Sequence, residues 1–207
     1  MSTLESLAMI KVSATNLEAY RRYINERITL DALIDSILRR FEPNEKMIKG
    51  TKFHEMLQSK NAEPYTEYFT KDCITAARNF MDYRSPLFEI KVRKTYETKR
   101  GLVSLTGMAD QIVGNKIIEI KTTYSPIQYE TYADSLQWRV YCDVFQAPEV
   151  QYNVFEFKDS LSTDFKNCAF FNFFAPANNH ETVNNWVSDY TDFLYLVGLE
   201  NAMEVQL

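Results

Sequence analysis

The sequence predicts an α/β protein, with a mixed β-sheet flanked by helices and further helices at the N-terminus. Three observations carry this reading. Over residues 1–82 apolar side chains recur mainly at helical spacing. Over 83–175 the chain turns to runs rich in Val, Ile, Leu, Phe and Thr. Between two of those runs stands Gly114-Asn115, a hairpin-turn signal. The 207 residues suffice for one well-buried domain, with the remaining 176–207 forming a closing helix.

In chain order, Thr15-Asn-Leu-Glu18 reads as a capping box ahead of an amphipathic helix over 15–27. A second helical pattern covers 28–41 and ends before Pro43. A third covers 46–60, with Gly50, Phe53, His54 and Leu57 on one side. A fourth covers 70–82, striped by Ile74, Ala77 and Met81. Strands are predicted over 86–96, 102–113 and 116–122, the last two joined by Gly114-Asn115 with Gly at the first central position, as a type II′ turn requires. Ser125-Pro126 ends the third strand, and a helix over 127–145 carries Ala133, Leu136, Val140 and Val144 on one face. Strands over 149–158 and 167–174 and a helix over 181–198 complete the pattern. The run Phe170-Phe171-Asn172-Phe173-Phe174 reads as a core strand rather than a base-stacking platform. Trp186, Tyr190, Phe193, Leu194 and Val197 read as core packing on the last helix.

Composition excludes several classes. Hydrophobic residues at 45% and charged residues at 25% are ordinary globular usage, not that of a disordered chain. Cys73, Cys142 and Cys168 are scattered and odd in number, which predicts free buried thiols and neither a disulfide framework nor a zinc site. The opening residues lack the basic start and apolar run of a signal peptide, and no stretch approaches the roughly 18 apolar residues of a membrane span. A cytoplasmic protein without a membrane partner is expected. The net charge of −5 conceals a division: residues 1–100 carry 18 Lys and Arg against 14 Asp and Glu, and residues 101–207 carry 5 against 14. The basic residues cluster at Arg21-Arg22, Arg39-Arg40, Lys46/Lys49/Lys52, Lys91/Arg93/Lys94 and Lys99-Arg100. They would suit either a phosphate-binding groove or a set of solvated faces.

The chemistry centres on the hairpin. With Gly114-Asn115 as the turn, Val113 pairs with Lys116 and Asp110 comes opposite Glu119, in a non-hydrogen-bonded position where Cα atoms stand about 4.5 Å apart. Directly opposed like charges destabilise a sheet, so two carboxylates placed there call for a divalent cation between them. Lys121, two residues beyond Glu119, falls on the same face. Two acids and a lysine on one face suit phosphodiester hydrolysis: the metal activates water, and the ammonium orients it or stabilises the transition state. Glu-x-Lys alone says little, since Glu89-Ile-Lys91, Glu97-Thr-Lys99 and Glu156-Phe-Lys158 repeat it. Only Glu119-Ile-Lys121 has an opposed aspartate and the apolar Ile117-Ile118 leading into it.

The segment Gly107-Met-Ala-Asp110, followed by Ile117-Ile-Glu119-Ile-Lys121-Thr-Thr123, resembles motifs II and III of the PD-(D/E)xK nucleases. Within that superfamily it is most similar to the RecB-like branch, which includes the phage λ-type exonucleases. Two further motifs agree with that branch: Gly50-Thr-Lys-Phe-His54 on an upstream helix and Gln137-Trp-Arg-Val-Tyr141 on the helix after the third strand. The opening Ser13-Ala-Thr-Asn-Leu-Glu-Ala-Tyr20 is similar to the start of many members, so the resemblance runs from about 13 to 157.

The resemblance implies a restriction-endonuclease-like core and Mg²⁺- or Mn²⁺-dependent hydrolysis of DNA. It implies His54, Asp110, Glu119 and the carbonyl of Ile120 as metal ligands, and Asp110, Glu119, Lys121, Gln137 and Tyr141 as the catalytic set. Glu89 and Gly50 would support the site, and Lys52, Arg93, Lys94, Thr122 and Arg139 are candidate DNA contacts. Arg-Arg-Tyr-Ile after Tyr20 stands where an iron–sulfur branch carries its first cysteine, so no cluster is expected. The resemblance favours an exonuclease of phage or mobile-element recombination and repair. The partners the resemblance implies are DNA, a further copy of the chain in a homo-oligomer, and a recombination or single-strand-binding protein. The alternatives are an endonuclease, or a nuclease-like module that binds DNA or protein without cutting.

Overall fold

Strand β3 (Gly101–Val113) organises the sheet. One of its edges pairs antiparallel with β2 (Phe88–Thr98), from Thr98↔Gly101 to Phe88↔Gln111. Its other edge is divided. The first half runs parallel to β1 (Met9–Ser13), from Ile10↔Val103 to Ser13↔Thr106. The far end is antiparallel to β4 (Lys116–Thr123), from Val113↔Lys116 to Gln111↔Ile118. Residues 107–110, between those two partners, have no paired strand on that side among the described residues. Beyond β4 come β5 (Glu149–Phe157), parallel to it, and β6 (Phe165–Phe174), antiparallel to β5. A short β7 (Glu204–Val205) pairs with β1, making a mixed sheet of seven strands. The computed structural model describes residues 9–81 and 87–205. The expected helix end at 82 and strand start at 86 lie outside the described residues.

The hairpin forms as the turn chemistry requires: Gly114 takes φ +62 and Asn115 stays out of the left-handed region. Strand β1 was not foreseen. Five residues with alternating burial are a short signal, and the cap that follows belongs to a different residue than expected. Ser13 closes β1 and caps α1 (Ala14–Ile24), accepting Asn16 N–H at 3.1 Å while Asn16 Oδ1 accepts Ser13 N–H at 3.0 Å. The box is therefore Ser13 with Asn16, not Thr15 with Glu18, because the chain leaves the sheet at Ser13. Helices α2 (Leu30–Leu38), α3 (Glu45–Gln58) and α4 (Lys71–Arg78) follow, capped by Thr29, Asn44 and Thr70. The single helix expected over 127–145 is broken into α5 (Tyr129–Ala133) and α6 (Gln137–Phe145). Helix α7 (Asn179–Val197) and a single turn, α8 (Glu200–Met203), complete the fold.

Two apolar layers sandwich the sheet. On one side Leu17, Tyr20, Leu105, Val140, Tyr141, Tyr190 and Leu194 join α1, α6 and α7 to the strands. On the other, Phe53, Met56, Leu57, Phe69, Ile74, Phe155 and Phe157 join α3 and α4 to β5. Of the expected core run on β6, only Phe173 is fully buried, while Phe170 and Phe174 remain 45% and 65% exposed. Strand alternation sends them outward, and Phe170 packs at a tilt against Phe80 with ring centroids 4.8 Å apart. The three cysteines are free; burial pushes the Cys73 and Cys142 thiols up to about 11. Among the described residues no helix is long and apolar enough to cross a membrane.

One glycine sets the distance between strand and helix. A Cβ on Gly107 would lie 2.8 Å from Phe145 Cε2 and 3.2 Å from Tyr141 Cδ1, both on α6. Gly107→Ala is expected to destabilise the protein by about 1–3 kcal/mol through overpacking, measured as a lower midpoint in urea.

Candidate active site

The site lies where β3 lacks a neighbour. A cleft of about 710 Å³ opens there, lined by Asp110, Glu119, Lys121, His54, Gln137 and Tyr141, with Ser13 to Asn16 at the start of α1 on one side. Hairpin register brings Asp110 and Glu119 together, but the backbone ladder stops one pair short of them, at Gln111↔Ile118. The side chains supply the missing rungs. Glu119 Oε1 accepts Asp110 N–H at 3.1 Å, and Asp110 Oδ2 accepts Ile120 N–H at 2.7 Å. The two carboxylates are thereby locked crosswise over the end of the ladder.

Lysine, amide and imidazole side chains converge on this pair. Lys121 Nζ stands 3.2 Å from Glu119 Oε2, donates to Gln137 Oε1 at 2.8 Å, and lies 5.2 Å from the centre of the Tyr152 ring. Gln137 Nε2 in turn donates to the Tyr141 hydroxyl at 2.9 Å. His54, on α3, brings Nδ1 within 3.4 Å of Asp110 Oδ1. Helix α3 reaches this far because Gly50 has no side chain: a Cβ there would lie 2.9 Å from Thr122 Oγ1 on β4. Lys49 anchors the same helix, with its ammonium on the carbonyls of Ser162 and Tyr68 and near the Phe69 ring.

Burial and charge pull the two acids apart. Glu119 is 2% exposed, and burial, then the neighbouring Asp110 carboxylate, pushes it up to about 8 against the opposing pull of Lys121. Burial also acts to raise Asp110, but His54, Lys121 and the Ile120 N–H outweigh it and hold Asp110 below the usual carboxylate range. Burial, then Glu119 and Asp110, drives the Tyr141 hydroxyl well above its ordinary value, so it remains a proton donor.

Solved structures share this architecture. One described as SSO0001 matches with a TM-score of 0.55 at 16% identity, over 91% of this chain and 77% of that one. LHK-Exo in complex with dAMP matches with a TM-score of 0.50 at 16% identity, over 93% and 89%. The alkaline exonuclease LHK-Exo from Laribacter hongkongensis, in another crystal structure, gives 0.49 at 15% identity, over 93% of each chain. No protein-family model matches the chain, and no curated protein matches it in sequence. The fold, a mixed sheet flanked by helices, is one the chain shares with SSO0001 and LHK-Exo.

In that fold the expected residues divide into those that meet and those that do not. Asp110, Glu119, Lys121, His54, Gln137 and Tyr141 share the cleft. Among the described residues no group of three or more His, Cys, Asp or Glu stands close enough to form a ready-made metal cage. Glu89 lies between Phe88↔Gln111 and Ile90↔Ala109, hence across β2 from Asp110; it is exposed, takes φ +52, and is not among the cleft-lining residues. A non-glycine residue there carries strain of about 1 kcal/mol or more.

Of the candidate DNA contacts, Arg93 lines a hollow of about 460 Å³ that shares Ser13, Asn16, Arg39 and Lys91 with the cleft. The others are engaged elsewhere. Lys52 pairs with Glu55 at 2.9 Å, and Thr122 packs beneath Gly50. Arg139 lies 4.5 Å over the Trp138 ring. Lys94 binds Asp143 at 2.9 Å on the α6 side of the sheet, beside His180. Strand alternation explains the split between Arg93 and Lys94. Sequence reasoning put Arg39 and Lys91 in basic clusters but not in the site. Their place depends on the left-handed end of α2 (Arg39 φ +53) and on the Lys91↔Met108 register, which no local pattern announces. Ser36, Phe41, Thr106 and Met108 line the cleft for the same reasons.

The Glu119 shift has a measurable sign. A carboxylate raised from 4.5 to about 8 binds its proton more tightly folded than unfolded, so its contribution is complete below pH 4.5 and is lost as pH rises through about 8. In metal-free buffer Glu119→Gln should therefore melt several degrees above the parent chain near pH about 8.5, and the gap should close toward pH about 5. Thermal melts across that range check it; a gap that widens toward acid contradicts it.

Proposed function

We propose that this chain is a divalent-metal-dependent deoxyribonuclease that hydrolyses phosphodiester bonds, acting as an exonuclease on cytoplasmic DNA. The observation that carries the reading is the buried pair Asp110 and Glu119, crossed over the end of the β3–β4 ladder, with Lys121 held beside them by Gln137. The donor chemistry fits Mg²⁺ or Mn²⁺. Two carboxylates with like charge opposed in a buried site, one of them pushed up to about 8, favour a cation, and Mg²⁺ is commonly held by one or two carboxylates and completed by substrate phosphate and water. Asp110 and Glu119 would hold the ion, with the Ile120 carbonyl and His54 alongside. A bound divalent ion supplies Lewis-acid polarisation of the phosphodiester and a more acidic water.

The remaining chemistry belongs to the side chains. The Lys121 ammonium presents positive charge where the phosphoryl oxygens gain negative charge, at no reorganisation cost because Gln137 already fixes it. Gln137 spends both ends of its amide, one on Lys121 and one on Tyr141, and so ties the helix to the strand. The Tyr141 hydroxyl remains protonated and able to donate. Arg39 and Lys91 on the cleft wall are placed to meet flanking phosphates. The exonuclease preference rests on the His54, Gln137 and Tyr141 motifs. It is supported by the likeness to LHK-Exo, which is described as an alkaline exonuclease and was solved with dAMP.

The deciding experiment incubates linear and covalently closed circular DNA with Mg²⁺, with Mn²⁺ or with EDTA. Linear DNA should be degraded with either metal and spared in EDTA, circles should persist, and Lys121→Ala should lose about 10²-fold or more in kcat while keeping its circular dichroism spectrum. Cutting of circles would replace exonuclease by endonuclease. Intact DNA with every metal would leave a binding module and end the nuclease reading.

The wall residues make a separate prediction. Arg39→Ala and Lys91→Ala should each weaken DNA binding irrespective of sequence and flatten the log–log salt dependence by about 1, read by fluorescence anisotropy on a catalytically silent Lys121→Ala background.

A further inference from the structure

Helix α6 begins without a cap of its own. Leu136 occupies its N-cap position and makes no side-chain cap bond, yet the next residue is Gln137. The acceptor comes from α1, more than a hundred residues away in sequence. Glu18 Oε2 accepts Leu136 N–H at 2.8 Å and the Ser135 hydroxyl at 3.1 Å. Ser135 Oγ in turn accepts Gln137 N–H at 3.2 Å. Glu18 therefore holds the first turn of α6 directly and through one relay, with its negative charge at the positive end of the helix.

The carboxylate is itself held. Arg21 donates to Glu18 Oε1 from Nη2 at 2.6 Å and from Nε at 3.2 Å. Arg21 Nη1 reaches Asp134 Oδ2 at 2.8 Å, and Arg27 meets the same oxygen at 2.8 Å. The Arg21 side chain is only 7% exposed, and a guanidinium is rarely buried so deeply unless its donors are satisfied. A serine or aspartate at the N-cap would have closed the helix without any buried charge. This chain instead ties the end of α6 to α1 through an ion network, and the end so tied is the one that carries Gln137.

We infer that Glu18, backed by Arg21 and Asp134, is a positioning residue for Lys121: it fixes the start of α6 and, through Gln137, the direction of the Lys121 ammonium. Both ends of the Gln137 amide are already committed, to Lys121 and to Tyr141, so the side chain cannot follow a shifted helix start without releasing one of them. The kinetic consequence rests on the nuclease reading. The placement of Lys121 does not, and it is measurable without substrate.

The test compares Glu18→Ala, Glu18→Gln and Ser135→Ala with the parent chain by two readouts. The first is the rate at which an N-hydroxysuccinimide ester acylates Lys121, followed by peptide mass spectrometry with exposed Lys60 as internal reference. The second is kcat and KM on linear DNA with Mg²⁺. Glu18→Ala should raise Lys121 acylation severalfold relative to Lys60 and lower kcat about tenfold or more, with KM within about twofold. Glu18→Gln keeps one acceptor for Leu136 N–H but turns its amide NH2 toward Arg21, so it should lie between Glu18→Ala and the parent on both readouts. Ser135→Ala removes only the relay, should fall between, and takes the place of Glu18→Ala if that variant does not fold. Unchanged Lys121 acylation together with a parental kcat per folded molecule would overturn the inference and leave Glu18 a purely structural cap. If the parent chain cuts no DNA, the nuclease reading falls, and the acylation rates alone still decide the role of Glu18.

Discussion

Two like charges facing each other in a buried place are the constraint on which this structure turns. Asp110 and Glu119 stand at the point where β3 and β4 cease to pair; Asp110 takes the Ile120 N–H that a further rung would have used, and Glu119 takes the Asp110 N–H. Opposed carboxylates repel, so the surroundings are arranged to offset them: Lys121 beside Glu119, His54 beside Asp110, and amides on one oxygen of each. The offset is unequal. Asp110 is held low and Glu119 is left high. That inequality leaves the pair with less negative charge than two free carboxylates would carry.

The helices serve this pair as well as the core. Helix α3 carries His54 to Asp110 only because Gly50 admits Thr122, and α6 carries Gln137 and Tyr141 to Lys121 only because Gly107 admits the rings of Tyr141 and Phe145. Helix α1 contributes twice, its start lining the cleft and its middle holding α6. The elements outside the hairpin thus fix angles and distances for six side chains.

Much of this was legible in the sequence where the physics is local. Turn chemistry at Gly114-Asn115 set the hairpin register, and strand alternation put Lys121 with Glu119. Helical spacing and motif resemblance picked out His54, Gln137 and Tyr141, and all three line the cleft. What stayed hidden is long-range. The break between α5 and α6 is closed by Glu18 from across the molecule, so no pattern near residue 134 reveals it. The pairing of β1 with β3 fixes where the cleft opens, yet five alternating residues give little sign of it. Arg39 reaches the cleft from the left-handed end of α2, and Lys91 through cross-strand register, both tertiary facts. The ladder was expected to run on through Asp110 and Glu119; it stops because their own side chains compete for the backbone amides.

The divided edge of β3 also separates what can change from what cannot. The acids sit on the two innermost strands, at the end of the ladder that joins them. The proposed phosphate contacts lie instead at Arg39, where a nine-residue helix ends, and at Lys91 on an outer strand. Reactivity and recognition are thus assigned to parts of the chain with unequal freedom to diverge. A lineage could remodel the rim, and with it the choice of substrate, while the floor of the cleft is inherited unaltered.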